Sequence, residues 1–170
     1  MPEKETIRRA KKDKAEGKAP STQAGEFIRE QIEHIREGKH GARSTRQAIA
    51  IGLSEARRAG VKLPPPKAGQ ASEKTRHSAE RAFQQGQSGH SHKTSAKRSR
   101  ATTKALKREG HEAASSESLS EQAQEQSRQR TAAQRSEIGK KAARTRMAHQ
   151  SPAERRRIAR KAAKTRAARS

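Results

Sequence analysis

The sequence predicts an all-α protein: a short helical hairpin plus additional isolated helices joined by disordered linkers, with no large core. Three observations predict it. Apolar residues make up 28% of 170, charged residues 35%, and the only aromatics are Phe27 and Phe83. So few large side chains cannot offset a backbone ordering cost of roughly 1–2 kcal/mol per residue along the whole chain. Where apolar residues do recur, they recur at helical spacing. The third observation bears on partners and not on fold: 41 Lys and Arg against 18 Asp and Glu leave a formal net charge of +23. A charge of that size points to polyanions, either nucleic acid or an anionic membrane surface.

Residues 1–20 read as a basic N-terminal arm that ends at the turn signal "GKAPS". From Ser21 the pattern changes. Phe27, Ile28, Ile32 and Ile35 keep the 3.6-residue period of an amphipathic helix, and Gly38 is placed to close it. Ser44-Thr45-Arg46-Gln47 is a capping box, opening a second helix with Ala48, Ile49, Ile51, Gly52, Leu53 and Ala56. Gly60 ends that helix, Val61 can fold back onto its last turn, and "LPPP" at 63–66 blocks continuation. Residues 21–66 are therefore expected to form a hairpin domain, with a seam of Phe27, Ile28, Ile32, Ile35, Ile49, Leu53 and Ala56.

Residues 67–127 read as a polar linker with short helices. "QQGQSGHSHKTS" is Ser-, Gln-, His- and Gly-rich and has no period. A short helix around Phe83 fits 79–85, another fits 99–110 and closes at Gly110, and 118–134 has helical composition with almost nothing to bury. Residues 128–170 form a basic helical repeat region. Here 138–146 ("IGKKAARTR") returns at 158–166 ("IARKAAKTR"), 20 positions on. Ser151, Pro152 and Glu154 supply an N-cap, an N1 proline and an N3 carboxylate, so a second helix starts afresh between the copies.

Charge is concentrated in this last quarter: 15 basic and 2 acidic side chains, net +13, against +6 for residues 1–66 and +4 for 67–127. On a helical wheel Ile138, Ala142 and Thr145 share a narrow stripe, and Lys140, Lys141 and Arg144 span the opposite arc. Ile158, Ala162 and Thr165, and Arg160, Lys161 and Lys164, repeat the arrangement. One large residue per copy cannot build a core. Such a stripe lets two helices lie together or become ordered on a partner. Cations arrayed along a helix suit duplex DNA, which presents one phosphate charge per ~1.7 Å of axis. The candidate nucleic-acid-binding residues are Lys140, Lys141, Arg144, Arg146, Arg155, Arg156, Arg157, Arg160, Lys161, Lys164 and Arg166. Base readout would need a packed scaffold to orient a recognition helix, and single-strand binding would need aromatic platforms. Neither is visible.

Other chemistry finds little support. There is no cysteine, which excludes disulfides and thiolate metal sites and suits a reducing compartment. The start "MPEKETIRRAKKDK" lacks an apolar signal region, and no run approaches the ~18 apolar residues of a membrane span. His90 and His92 could share a metal ion, but no carboxylate or thiolate lies beside them. Glu37-x-x-His40 resembles half of a di-iron motif, yet Gly38 should already have ended the helix. Glu26, Glu30, Glu33 and Glu37 make an acidic edge with nothing large enough to bury it; they border Arg29 and Arg36 and can pair with basic side chains of the second helix. No phosphate loop or hydrolase motif occurs. No enzymatic activity, metal or cofactor is expected.

The stretch "STQAGEFIREQIEHIREGKHGARSTRQAIAIGLSEARRAGVKLPPP" resembles small basic bacterial proteins carrying a domain of unknown function, whose core matches Ser44 to Gly60. That resemblance implies a stand-alone cytoplasmic protein and brings no activity with it. The Ala-rich basic repeat is similar in style to the tails of bacterial linker-histone-like proteins. The expectation is non-specific, backbone-directed binding of duplex DNA by a nucleoid-associated or accessory protein. The alternatives are a protein-interaction adaptor acting through the hairpin, and an RNA- or ribosome-associated protein.

Overall fold

A computed structural model describes residues 2–89 and 95–168. The chain divides into two compact units, residues 1–122 and 123–170. In the first, α1 (Lys4–Ala15), α2 (Pro20–Arg36), α3 (Thr45–Arg58) and α4 (Glu73–Gln87) pack in succession, each against the next. α5 (Ala96–Leu106) and a single 3-10 turn (Glu112–Ala114) follow, and the turn packs on both α2 and α3. α6 (Ser116–Arg128) starts in the first unit, whereas α7 (Ala132–His149) and α8 (Pro152–Ala167) belong to the second. No strand occurs among the described residues.

Local chemistry sets the boundaries of the central hairpin. Pro20 opens α2 at a position where its missing N–H is no loss. Ala24, Phe27, Gln31 and Ile35 then fall at three- and four-residue intervals on a buried face. Ser44 caps α3 by accepting from the Gln47 N–H at 3.2 Å. The Gln47 amide oxygen reaches back to the Arg43 N–H at 2.8 Å, one residue before the expected partner. α3 ends in a Schellman closure. Gly60 takes φ +88°, its N–H donates to the Arg57 carbonyl, and the Val61 N–H donates to the Ala56 carbonyl at 3.0 Å. Val61 is thereby buried over the last turn.

Two apolar clusters hold the unit together. Ile32, Ile35, Ala42 and Ala48 gather with Ala113 and Ala114, flanked by Ile28 and Leu119. Ala10, Ala24, Phe27, Ala56 and Val61 form the other, flanked by Ile7, Leu53 and Leu63. Among the described residues, nine of the thirteen buried apolar ones are alanine, so the helices meet with little side chain between them. At the α2–α3 crossing a Cβ on Gly52 would lie 2.7 Å from the Ile28 Cα. Only glycine fits there. Polar contacts add to the clusters: Thr45 Oγ1 donates to the Ala113 carbonyl at 2.8 Å, and Arg36 Nε to the Ala114 carbonyl at 2.9 Å.

The all-α expectation stands, but among the described residues of the first unit isolated helices, disordered linkers and the lack of a large core do not. α1 packs on α2 through Thr6 and Ala10, with Asp13 also buried, and Arg9 Nε pairs with Glu26 at 2.7 Å. α4 packs on α3 with Ala79 and Ala82 buried, and Gln87 Nε2 donates to the Gly60 carbonyl at 3.4 Å. Even the loop between α2 and α3 is held, since the Gly41 and Ala42 N–H groups donate to the Leu106 and Gly110 carbonyls. The physical reason is packing distance: small side chains let backbones approach closely, and a count of large apolar residues does not register that. Within the hairpin seam Phe27, Ile32, Ile35 and Ala56 are buried, while Ile28, Ile49 and Leu53 are half-buried. The acidic edge also departs from expectation. Glu30 is 2% exposed, and Glu26 pairs with Arg9 of α1 and Arg29 of its own helix, not with α3. The stretch 118–134 is not one helix, because α6 stops at Arg128 and α7 starts at Ala132.

Candidate nucleic-acid interface

α7 and α8 owe their existence to local chemistry. Thr131 caps α7 by accepting from the Gln134 N–H at 3.2 Å, while Gln134 Oε1 accepts from the Thr131 N–H at 3.0 Å. Ser151 and Glu154 repeat that reciprocal box at the start of α8, with Pro152 at the first helical position. The Ser151 N–H donates to Glu154 at 2.8 Å. That bond first, then the Ser151 hydroxyl, holds the Glu154 carboxyl below the usual range, and Arg157 acts in the same sense. Good helix formers such as Ala, Arg and Lys fill the interiors. Lys164 and Arg166 sit in the last turn of α8, where cations complement the helix dipole.

Neither helix buries a face. Residues 132–148 and 152–167 are all exposed, including Ile138 at 49% and Ile158 at 47%. The repeated isoleucine stripe therefore stays half exposed among the described residues. The candidate residues Lys140, Lys141, Arg144 and Arg146 lie on α7, and Arg155, Arg156, Arg157, Arg160, Lys161, Lys164 and Arg166 on α8. Lys140 forms an ion pair with Glu137 at 3.1 Å. Lys141, Arg144, Arg146, Arg155, Arg156, Arg160, Lys161 and Lys164 form none among the described residues. With 18 and 16 residues, the helices extend about 27 and 24 Å at 1.5 Å per residue. Each thus presents a row of cations on the length scale of a groove.

A further basic surface escapes a reading based on net charge per region. On and just after α5, Arg100, Lys104 and Arg108 recur every fourth residue, and with Ser99, Thr103 and Lys107 they line a shallow open concavity. None of these four basic side chains forms an ion pair among the described residues. The signal in the sequence is that period-four spacing in a stretch without acids from Lys93 to Arg108. His90 and His92, considered above as a metal pair, lie outside the described residues. No helix among the described residues is long and apolar enough to cross a membrane.

Residues 17–68 match the model of a family of unknown function, DUF6496. No curated protein and no solved structure matches the chain. The matched span covers α2, α3 and the segment after α3, and includes none of α5, α7 or α8. Within it, the Ser44–Gly60 core reads as structural. Ser44 caps, Ala48 and Ala56 fill the clusters, Gly52 sets the crossing and Gly60 closes the helix. Arg57 is 6% exposed, and it donates to the Leu63 and Pro64 carbonyls at 3.2 Å, pinning the proline segment. The match concerns a scaffold, and the cations of α5, α7 and α8 lie outside it.

Proposed function

We propose that this protein binds duplex DNA through the phosphate backbone, without reading sequence, and that α7 and α8 carry most of the affinity. The observation behind the reading is a pair of separately capped helices that expose rows of cations and bury no face of their own. A helix that buries nothing has no fixed orientation from which to read base edges. Its charges can still follow a phosphate lattice, and binding is driven by counterion release. The cations of α5 add a second, smaller basic surface. In this reading the chain is a non-enzymatic, bacterial nucleoid-associated or accessory protein of the cytoplasm.

The test is binding by the full chain to duplexes of equal length and shuffled sequence, beside double-stranded RNA, over a range of salt. Near-equal affinity for the shuffled duplexes, with DNA favoured over RNA, is expected. Preference for one sequence would overturn backbone-only binding. Preference for RNA would move the reading to an RNA- or ribosome-associated protein, and no binding to either would favour a protein-docking role for the hairpin.

A further inference from the structure

We infer that Glu3, Glu30 and His34 form a binding site for a divalent transition-metal cation of the zinc class, tying the start of α1 to the C-terminal half of α2. Glu30 and His34 stand four residues apart on one face of α2, and Glu3 arrives as the residue before α1. One ligand atom from each lies within 4.8 Å of the other two. His34 Nε2 is 3.0 Å from Glu3 Oε1 and 3.9 Å from Glu30 Oε1. Ligands about 2.0–2.1 Å from a tetrahedral zinc ion stand roughly 3.3 Å apart. The Glu3–His34 separation is already near that value, and a shift of about 0.6 Å between the His34 and Glu30 side chains brings their 3.9 Å to it. One imidazole and two carboxylates are donors that zinc, cobalt and manganese accept.

Glu30 makes this more than a chance meeting of acids. It is 2% exposed, and its Oε2 is buried without a hydrogen-bond partner. Its Oε1 accepts only from the Glu3 N–H, at 2.8 Å. A buried carboxylate oxygen left without a partner opposes folding, and a cation held by both oxygens of this carboxylate supplies one. Solvent-side chemistry permits entry. Lys39 Nζ lies 3.3 Å from Glu3 Oε1 but 2.9 Å from Glu37, so it keeps an ion pair when a metal takes Glu3. His40, whose ring meets His34 edge-on at 6.0 Å, points its Nδ1 at the Gly41 carbonyl and stays outside the set.

This inference does not depend on nucleic-acid binding, since none of the three residues belongs to the basic surfaces. The full chain, freed of metal by a chelator, is titrated with Zn2+ by calorimetry and with Co2+ by visible absorption. One equivalent per chain is expected, with a Co2+ ligand-field band of low coordination number. Glu3→Gln and His34→Ala should each weaken binding by about 10–100-fold or more. Glu3 is exposed, so Glu3→Gln should leave the helical circular dichroism spectrum unchanged and separate loss of a ligand from loss of fold. The double variant His90→Ala, His92→Ala should bind as the parent does. Absence of stoichiometric binding would overturn the site, as would binding that survives both Glu3→Gln and His34→Ala or disappears only in the His90/His92 variant.

Discussion

Gly52 and Gly25 lie in neighbouring helices and should answer the same substitution with opposite signs. Alanine in place of a mid-helix glycine normally stabilises by about 0.5–1 kcal/mol. At Gly25 a Cβ meets nothing within 4 Å, so Gly25→Ala should show that gain in urea denaturation. At Gly52 the added carbon falls 2.7 Å from the Ile28 Cα and 2.9 Å from its nitrogen. These are backbone atoms that cannot swing aside, and overpacking of this kind costs about 1–3 kcal/mol. Gly52→Ala should therefore destabilise, and a gain there would contradict the close crossing. Glu55 offers a test by pH. Burial raises its carboxyl above the ordinary range, and nearby Glu30 adds to that shift. A raised value in the folded state means the protonated form is preferred there. Its contribution to stability is present at low pH and is lost as pH rises through the folded value. Gln31 Nε2 donates to Glu55 Oε2 at 2.7 Å, a bond that glutamine can also accept. Glu55→Gln should raise the melting temperature at pH 7, with the difference from the parent closing below the ordinary glutamate value of about 4.3. A lower melting temperature at pH 7 would show that the ionised form supports the fold.

At the scale of elements, helices with an apolar period and a closing glycine were the most legible in the sequence. α2 and α3 carry both signals, and the Gly60–Val61 closure forms as expected. α8 is equally legible because its cap, its proline and its N3 glutamate are all local. α1 was not, and α4 was legible only as a short helix over 79–85, because what they bury is Thr6, Ala10, Ala79 and Ala82, residues that no hydrophobicity pattern distinguishes from a solvated face. Buried Glu30 was missed for a related reason: α1, the helix beside it, read as an arm. On the exposed helices, single changes should act locally. Loss of an N-cap costs about 1 kcal/mol of helix stability, so Ser151→Ala should fray the start of α8 and leave the melting of the first unit unmoved. Hydrogen exchange at the N–H groups of 153–156 reads the first effect and thermal denaturation the second. Changing Arg156, Arg160 and Lys164 together to Gln preserves helix propensity and removes three charges. Each phosphate contact contributes about −0.9 to the slope of log K against log salt, so the slope should flatten by about 2.7 if all three make contact. An unchanged slope would place those side chains away from the phosphates.

For the whole molecule, the charge asymmetry was plain from composition and the packed first unit was not. Net charge sums over residues whatever their surroundings, whereas a core of alanines depends on which backbones come close. The two units divide along that line. One holds the apolar clusters and the matched family span, and the other exposes its cations on two separately capped helices. The most direct test of the proposed function compares the full chain with a chain lacking residues 131–170, measuring affinity for one duplex DNA across a salt series. If about six phosphates are neutralised, the full chain should show a slope near −5. The shortened chain should keep the melting transition of the first unit but lose most of the affinity, retaining a shallow slope from α5. Equal affinity and equal slope for the two chains would contradict the assignment of DNA binding to α7 and α8.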